Sequence, residues 1–461
     1  MGEKLIGIAT AVLKALLSPF LWIWQLCRGW FQGRLSRRAN ILLEAITVTL
    51  VVGGLAWLNW SLHLERYLTG PWVLRRVWLG VLALCVYGTI RLTVLMFRQL
   101  PRKTGEFRDI REAITAGWHA AMDVRINLQD SPLFLVVGAD SVVEESMRTS
   151  TFIGDRLVVN DPRLPAHWFG DSEAIWLTIP GISAVAEQAV RERDSRASAG
   201  RRAKNPEAVR LTAAEQERAW QRMSCLVRML RQLRRPVVPV NGVILLIPFQ
   251  WMQDPSLAQL AETVKLDMEV LQSQLGVKCT CLVVFHGIEL AEEFNAYAQS
   301  MPEAGRQRRC GCTLPAFSEH TPQDSLKMHE WLCQFFRQQV YRFYMANRES
   351  AGNPQLYRLV QGLHAAGDGL TRLLNHAFPP DVQERMYLGG VYFTELSRKG
   401  RTFFDGVAAK LSADHDESIG WNNQELGRDR WLRRMASLAA GGVVALLTVD
   451  AFLIGRAFLS W

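Results

Sequence analysis

Hydrophobic positions gather in long runs at the two ends of the chain, and the middle alternates short apolar runs with polar, helix-spaced stretches. A bilayer-spanning helix needs about 20 consecutive apolar residues. Ile41 to Trp60, Val77 to Phe97 and Met435 to Trp461 approach that length, with Glu44, Arg91, Asp450 and Arg456 as interruptions. The first two predict a helical hairpin across residues 39–98, and the third predicts a final span over 434–461. Residues 1–38 are Trp-rich and basic and are broken by Lys14 and Pro19, a pattern that suits an interfacial amphipathic segment better than a span. Arg34, Arg37 and Arg38, then Arg98, Arg102 and Lys103, then Arg428, Arg430, Arg433 and Arg434 flank the apolar stretches. By the positive-inside rule the N-terminus and the large middle part face the cytosol, and the C-terminus lies just outside. A multi-pass membrane protein is expected.

In the middle, Ser131 to Gly138 is a continuous apolar run that ends in Gly, as a buried parallel strand would. Further strands are expected at Leu157 to Asn160, Ala174 to Ile179, Val240 to Ile247, Cys279 to Phe285 and Gly389 to Thr394, with helices at Ser141 to Arg148 and Leu257 to Leu275. Glu187 to Arg210 has few bulky apolar groups and suits a mobile loop or a solvated helix. Gln323 to Phe378 is helical, and its aromatic stripe of Trp331, Phe335, Phe336, Tyr341 and Tyr344 is expected to be core. The fold class is thus α/β: transmembrane helices flanking a cytosolic, degenerate P-loop-NTPase-like domain with a parallel sheet (99–320), followed by a helical extension (321–433).

The net charge of +9 is mostly Arg beside apolar segments, and no RNP-like aromatic motif or zinc-finger spacing supports a nucleic-acid reading. Cys279-Thr-Cys281 and Cys310-Gly-Cys312 are C-x-C pairs rather than the spaced pairs of zinc knuckles, so no metal is expected. The scattered histidines, His286, His320 and His329 among them, match no catalytic signature, and no cofactor is expected.

The strand-Gly-helix junction at Gly138 invites comparison with the phosphate loop G-x-x-x-x-G-K-[ST]. The comparison leaves a vestigial loop: Val143 stands at the second Gly, Glu144 at the Lys and Glu145 at the Ser/Thr. Val resists the backbone curl that Gly allows. A Glu facing phosphate at about 4 Å repels it by on the order of 4 kcal/mol at an effective dielectric near 20. Thr178-Ile-Pro-Gly181 replaces a switch-type Asp-x-x-Gly, and His286-Gly-Ile-Glu289 replaces a base-reading Thr-Lys-x-Asp. An enzyme is not expected.

Pro132 to Gly138, Trp168-Phe169 through Gly181, Arg234-Arg235-Pro236, Pro239-Val240-Asn241-Gly242-Val243, Leu282 to Phe294, and Leu388-Gly389-Gly390-Val391-Tyr392-Phe393-Thr394 together resemble the TssM/IcmF family of type VI secretion inner-membrane components. The chain resembles a shortened member without the periplasmic domain, and the resemblance implies a multi-pass protein of the bacterial inner membrane with its C-terminus in the periplasm. The resemblance implies a scaffold that anchors the tail and baseplate to the inner membrane without nucleotide hydrolysis. It also implies a DotU/TssL-like membrane protein and baseplate components as partners, oligomerisation in a membrane complex, and contact with membrane lipids. A membrane-anchored NTPase with an atypical site, and a tethered adaptor unrelated to secretion, are the alternatives that the residues leave open.

Overall fold

The computed structural model describes residues 37–61, 76–78, 80–88, 107–150, 153–198, 209–288, 291–315, 320–379, 386–397 and 400–459. They belong to two compact units, Met1–Arg102 with Arg430–Trp461, and Lys103–Asp429. In the first unit, helix α1 (Arg37–Ser61) lies against the helical residues 80–88. Asn59 Nδ2 donates to the Arg76 carbonyl at 2.6 Å, and a Cβ added to Gly80 would stand 3.0 Å from the Val52 carbonyl.

The expectation of membrane-crossing helices needs correction. Among the described residues, no helix is long and apolar enough to cross a membrane. Charges within and beside the apolar stretches account for this. The 25 residues of α1 begin with Arg37-Arg38, carry Glu44 and end in Trp57-Leu-Asn-Trp-Ser61. The last helix (Asn423–Leu459) has 37 residues, but Arg428 to Arg434 fill its early turns, and Asp450 and Arg456 break its apolar part. One such charge costs about 3 kcal/mol at the centre of a span. The multi-pass inner-membrane location, with its cytosolic middle and periplasmic C-terminus, is overturned by the same finding. The interfacial segment expected at 1–38 lies almost wholly outside the described residues.

The larger unit is an α/β domain, and its sheet is mixed rather than parallel. Its elements begin with α2 (Arg108–Asp123), β1 (Leu133–Val137), α3 (Ser141–Arg148), β2 (Leu157–Val159), β3 (His167–Gly170), β4 (Ile175–Thr178), α4 (Ala184–Ser198) and α5 (Ala213–Leu233). They continue with β5 (Gly242–Pro248), α6 (Leu257–Gln274), β6 (Val277–Lys278), β7 (Thr280–His286), α7 (Glu292–Ser300), α8 (Glu303–Arg306) and β8 (Cys310–Thr313). The chain then forms α9 (Pro322–Ala346), α10 (Asn353–Ala365), α11 (Gly367–Ala377), β9 (Tyr387–Ser397), β10 (Gly400–Thr402), α12 (Phe404–Ser418), β11 (Gly420–Trp421) and α13 (Asn423–Leu459). The order across the sheet is β10-β9-β7-β5-β1-β4-β3-β2, with β8 also on β9. The central strands β4, β1, β5, β7 and β9 run parallel, while β2, β3, β8 and β10 join antiparallel.

Both faces of the sheet are covered, which is why β1 is apolar at every position. Leu133, Leu135 and Val137 belong to a core shared with α2, α5, α6 and the α9–α11 helices. Phe134 and Val136 belong to a second core with Val143 and Met147 of α3 and Phe404, Val407 and Leu411 of α12. The stretch from Glu187 is helical as far as Ser198, held by ion pairs of Arg191 with Glu187 at 2.8 Å and Glu215 at 2.6 Å. Residues 199–208 lie outside the described residues.

The aromatic stripe on α9 is only partly core, another departure from the sequence expectation. Phe336 is fully buried, but Trp331 is 44%, Tyr341 62% and Tyr344 45% exposed. The buried line runs through Ser325, Met328, Leu332 and Phe336, which leaves the other aromatics on the outer side of the helix.

Candidate functional site

Ligands of α/β sheets bind at the carboxyl ends of the strands, where loops lead into helix N-termini whose free N–H groups attract anions. The vestigial loop lies there. Gly138 ends β1 at φ +85°, and a Cβ would stand 2.1 Å from the Leu246 carbonyl, so the position requires Gly.

The seat beyond it is occupied by the chain itself. Asp140 caps α3: its Oδ1 accepts from the backbone N–H of Val142 at 2.8 Å and of Val143 at 2.9 Å. Its Oδ2 accepts from Arg193 of α4 at 2.5 Å. Asp140 thus holds the place that a phosphate oxygen takes in a working loop.

A second helix end is closed in the same way. Asp267, from the middle of α6, accepts from the N–H of Ala184 at 3.0 Å and of Val185 at 3.1 Å, and from Ser183 Oγ at 2.6 Å. Ser183 Oγ in turn accepts from Ala186 N–H and from Gly138 N–H, each at 3.2 Å. Burial pushes the Asp267 carboxyl up to about 6, although these three donors pull the other way.

The four loop residues diverge. Gly138 stays at the junction. Val143 is buried in the α3–α12 core. Glu144 turns inward, and its two oxygens lie 2.7 and 2.9 Å from His167 Nδ1 of β3, while His167 Nε2 lies 3.0 Å from the Asp161 carbonyl. Burial alone would lower the His167 pKa, but the hydrogen bond and charge of Glu144, with the Asp161 and Leu164 carbonyls, raise it overall. Glu145 is exposed.

His286, at the end of β7, completes the edge. It is buried, its Nε2 has no hydrogen-bond partner among the described residues, and burial together with Arg193 lowers its pKa to about 4 against the opposing pull of Asp140. It is therefore neutral at pH 7. The C-x-C pairs are core groups: Cys279, Cys281, Cys310 and Cys312 are buried, and burial raises every one of these thiols, Cys279 and Cys310 to about 12.

The opposite edge explains the motifs at 234–243. The Arg234 side chain is buried and donates to the Leu128 carbonyl at 2.8 Å, the Ser131 carbonyl at 2.7 Å and Asn241 Oδ1 at 2.9 Å. Asn241 Oδ1 also accepts from Leu133 N–H at 2.9 Å, and Asn241 N–H donates to the Leu133 carbonyl at 2.6 Å. Arg234 and Asn241 thus tie the start of β5 to the start of β1. The Gly389-Gly390 pair marks a bulge, where the β7–β9 register shifts between Cys281 and Leu282 and a Cβ on Gly389 would stand 2.4 Å from Thr280 Cγ2.

Residues 213–437, which hold both of these motifs, match the family model of the IcmF-related N-terminal domain. That stretch is similar to the IcmF-related domain. No curated protein and no solved structure matches it. The match supports the TssM/IcmF assignment, and an IcmF-related domain suggests a type VI secretion-like component. The matched stretch supplies Asp267 and His286, whereas Asp140, Glu144 and Ser183 precede it.

Sequence reasoning missed the carboxylates that close the site. Asp140 was readable, because an Asp directly before Ser-Val-Val-Glu is a helix N-cap signal. Asp267 gave none, since a polar residue within a long amphipathic helix normally faces water.

Proposed function

We propose that this chain is a structural scaffold of a type VI secretion-like assembly that neither binds nor hydrolyses nucleotide. The observation that carries the reading is Asp140 on the Val142 and Val143 amides. A nucleotide phosphate would have to displace a carboxylate that already satisfies those donors and is tied to Arg193. It would also find no Lys to neutralise it, since Glu144 stands at that position and turns inward to His167. The partners proposed are a DotU/TssL-like protein and baseplate components. Trp331, Tyr341, Tyr344 and Met345 on α9 and Tyr357 on α10 are large exposed apolar groups of the kind that interface centres use.

Calorimetric titration of the full chain with Mg-ATP and Mg-GTP tests the negative half, with no saturable heat expected. A stoichiometric isotherm that Asp140→Ala strengthens would overturn it. Co-purification with a DotU/TssL-like protein tests the positive half. Recovery of the chain alone under mild conditions, with that protein co-produced, would count against it.

A further inference from the structure

His329 and Cys333 are four residues apart, so α9 presents them on one face, one turn from each other. Their polar atoms meet, with Cys333 Sγ 3.2 Å from His329 Nε2. His364 near the end of α10 comes alongside, its ring 6.0 Å from that of His329 and only 22° from parallel. One ligand atom from each of the three lies within 4.8 Å of the others. Gly367 makes room: a Cβ there would stand 2.4 Å from His329 Cε1. Neither C-x-C pair belongs to such a cluster among the described residues.

We propose that His329, Cys333 and His364 form a Zn²⁺ site that clips α9 to α10. Two imidazoles and a thiolate suit a borderline-soft divalent ion, and three protein ligands leave a fourth tetrahedral position for water. Zn–N bonds of about 2.0 Å and a Zn–S bond of about 2.3 Å put ligand atoms roughly 3.5 Å apart, so the cluster closes by roughly 1 Å on binding. The exposed His364 has the freedom to make that move. His329 Nε2 now lies 3.0 Å from the Leu363 carbonyl. Binding there moves the imidazole proton to Nδ1, and the thiol proton leaves to solvent. The metal then joins two helices whose outer faces carry Trp331 and Tyr357, which fixes the spacing of that exposed aromatic surface. The inference is independent of the scaffold reading, because the ligands lie apart from the vestigial loop.

The test is titration of the chelator-stripped full chain with Zn²⁺ by calorimetry and with Co²⁺ by absorption. The expected result is one equivalent bound, with the thiolate-to-Co²⁺ charge-transfer band and the strong d–d bands of a four-coordinate ion. Cys333→Ser abolishes the charge-transfer band, and His364→Ala weakens Zn²⁺ binding by roughly tenfold or more. His119→Ala, an exposed histidine on α2, leaves both unchanged. Absence of stoichiometric binding by the wild type overturns the proposal, as does an unchanged affinity in H364A. Because His364 is exposed, H364A decides the matter even where C333S unfolds the chain.

Discussion

The carboxyl edge of the sheet and the α9–α10 helix pair treat polar and apolar groups in opposite ways. At the sheet edge, buried charges meet internal partners: Asp140 the α3 amides and Arg193, Asp267 the α4 amides and Ser183, Glu144 His167. On α9 and α10, Trp331, Tyr341, Tyr344 and Tyr357 reach solvent over packed Phe336 and Leu356. In the first region the α3 and α4 amide donors are already used. In the second the apolar area is not covered. The contrast is between a closed set of hydrogen bonds and an exposed aromatic face.

The largest expected effect tests how strongly that sealing holds the fold. Glu144→Ala leaves His167 buried without its carboxylate, and breaking a buried pair from one side costs about 3–5 kcal/mol. The check is a urea melt in which the midpoint falls while the slope stays the same. A loss below about 1 kcal/mol, the level of a surface pair, would mean that the pair is not held as described.

The pH dependence of the edge comes next. His286 has a folded pKa near 4, below its ordinary 6.5. Its contribution to stability is therefore full above 6.5 and is lost as pH falls toward 4, by about 3 kcal/mol. Asp267 has a folded value near 6, above its ordinary 3.8. The folded chain takes up that proton first, so stability rises by about 3 kcal/mol as pH falls from 6 to 3.8. The two slopes oppose each other and largely cancel in the wild type. Asp267→Asn exposes the His286 slope and loses stability on acidification, while His286→Asn exposes the Asp267 slope and gains it. Thermal melts of both variants between pH 7 and pH 4 are the measurement. Parallel curves would refute the burial assigned to these two groups.

How much of this was legible in the sequence differed between the two regions. The central strands were readable because burial on both faces leaves no polar position in Leu133–Val137 or in Thr280–Phe285 beyond its first residue. β3 was missed as a strand, since His167-Trp-Phe-Gly is too short to show a period. α4 read only as a loop or a solvated helix, because its buried apolar residues are small or few (Ala184, Val185, Ala186, Ala189) and long-range ion pairs help to hold it. The misfit to a phosphate-loop pattern was visible at Val143, Glu144 and Glu145, and the Asp140 cap was readable, but the part played by Asp267 was not. Asp267 is 83 residues from Ala184, and only the fold brings them together. On α9 the aromatic spacing was visible, but the side of the helix it faced depended on which neighbours α10 and α11 cover. His329 read only as a scattered histidine; its one-turn spacing to Cys333 went unused, and His364 joins them only through the turn between two helices.

Asp140→Ala is the smaller test of the sealed edge. It removes one cap, for a loss of about 1 kcal/mol, and its ion pair with the half-exposed Arg193 adds little. A loss as large as that of Glu144→Ala would move the centre of the network from the β3 side to the helix cap.

The smallest stability effect is expected in the open region, where it is the most informative. Trp331→Ala, Tyr341→Ala and Tyr344→Ala remove exposed side chains, so each melt is expected to stay within about 0.5 kcal/mol of wild type. If the face is an interface, the same substitutions weaken capture of a DotU/TssL-like partner, because a few central aromatics carry most of an interface's energy. If stability falls by more than about 2 kcal/mol instead, the aromatics belong to the core after all and the contrast between the two regions collapses. If neither stability nor capture changes, α9 is not the docking face, and the sealed edge alone would carry the scaffold reading.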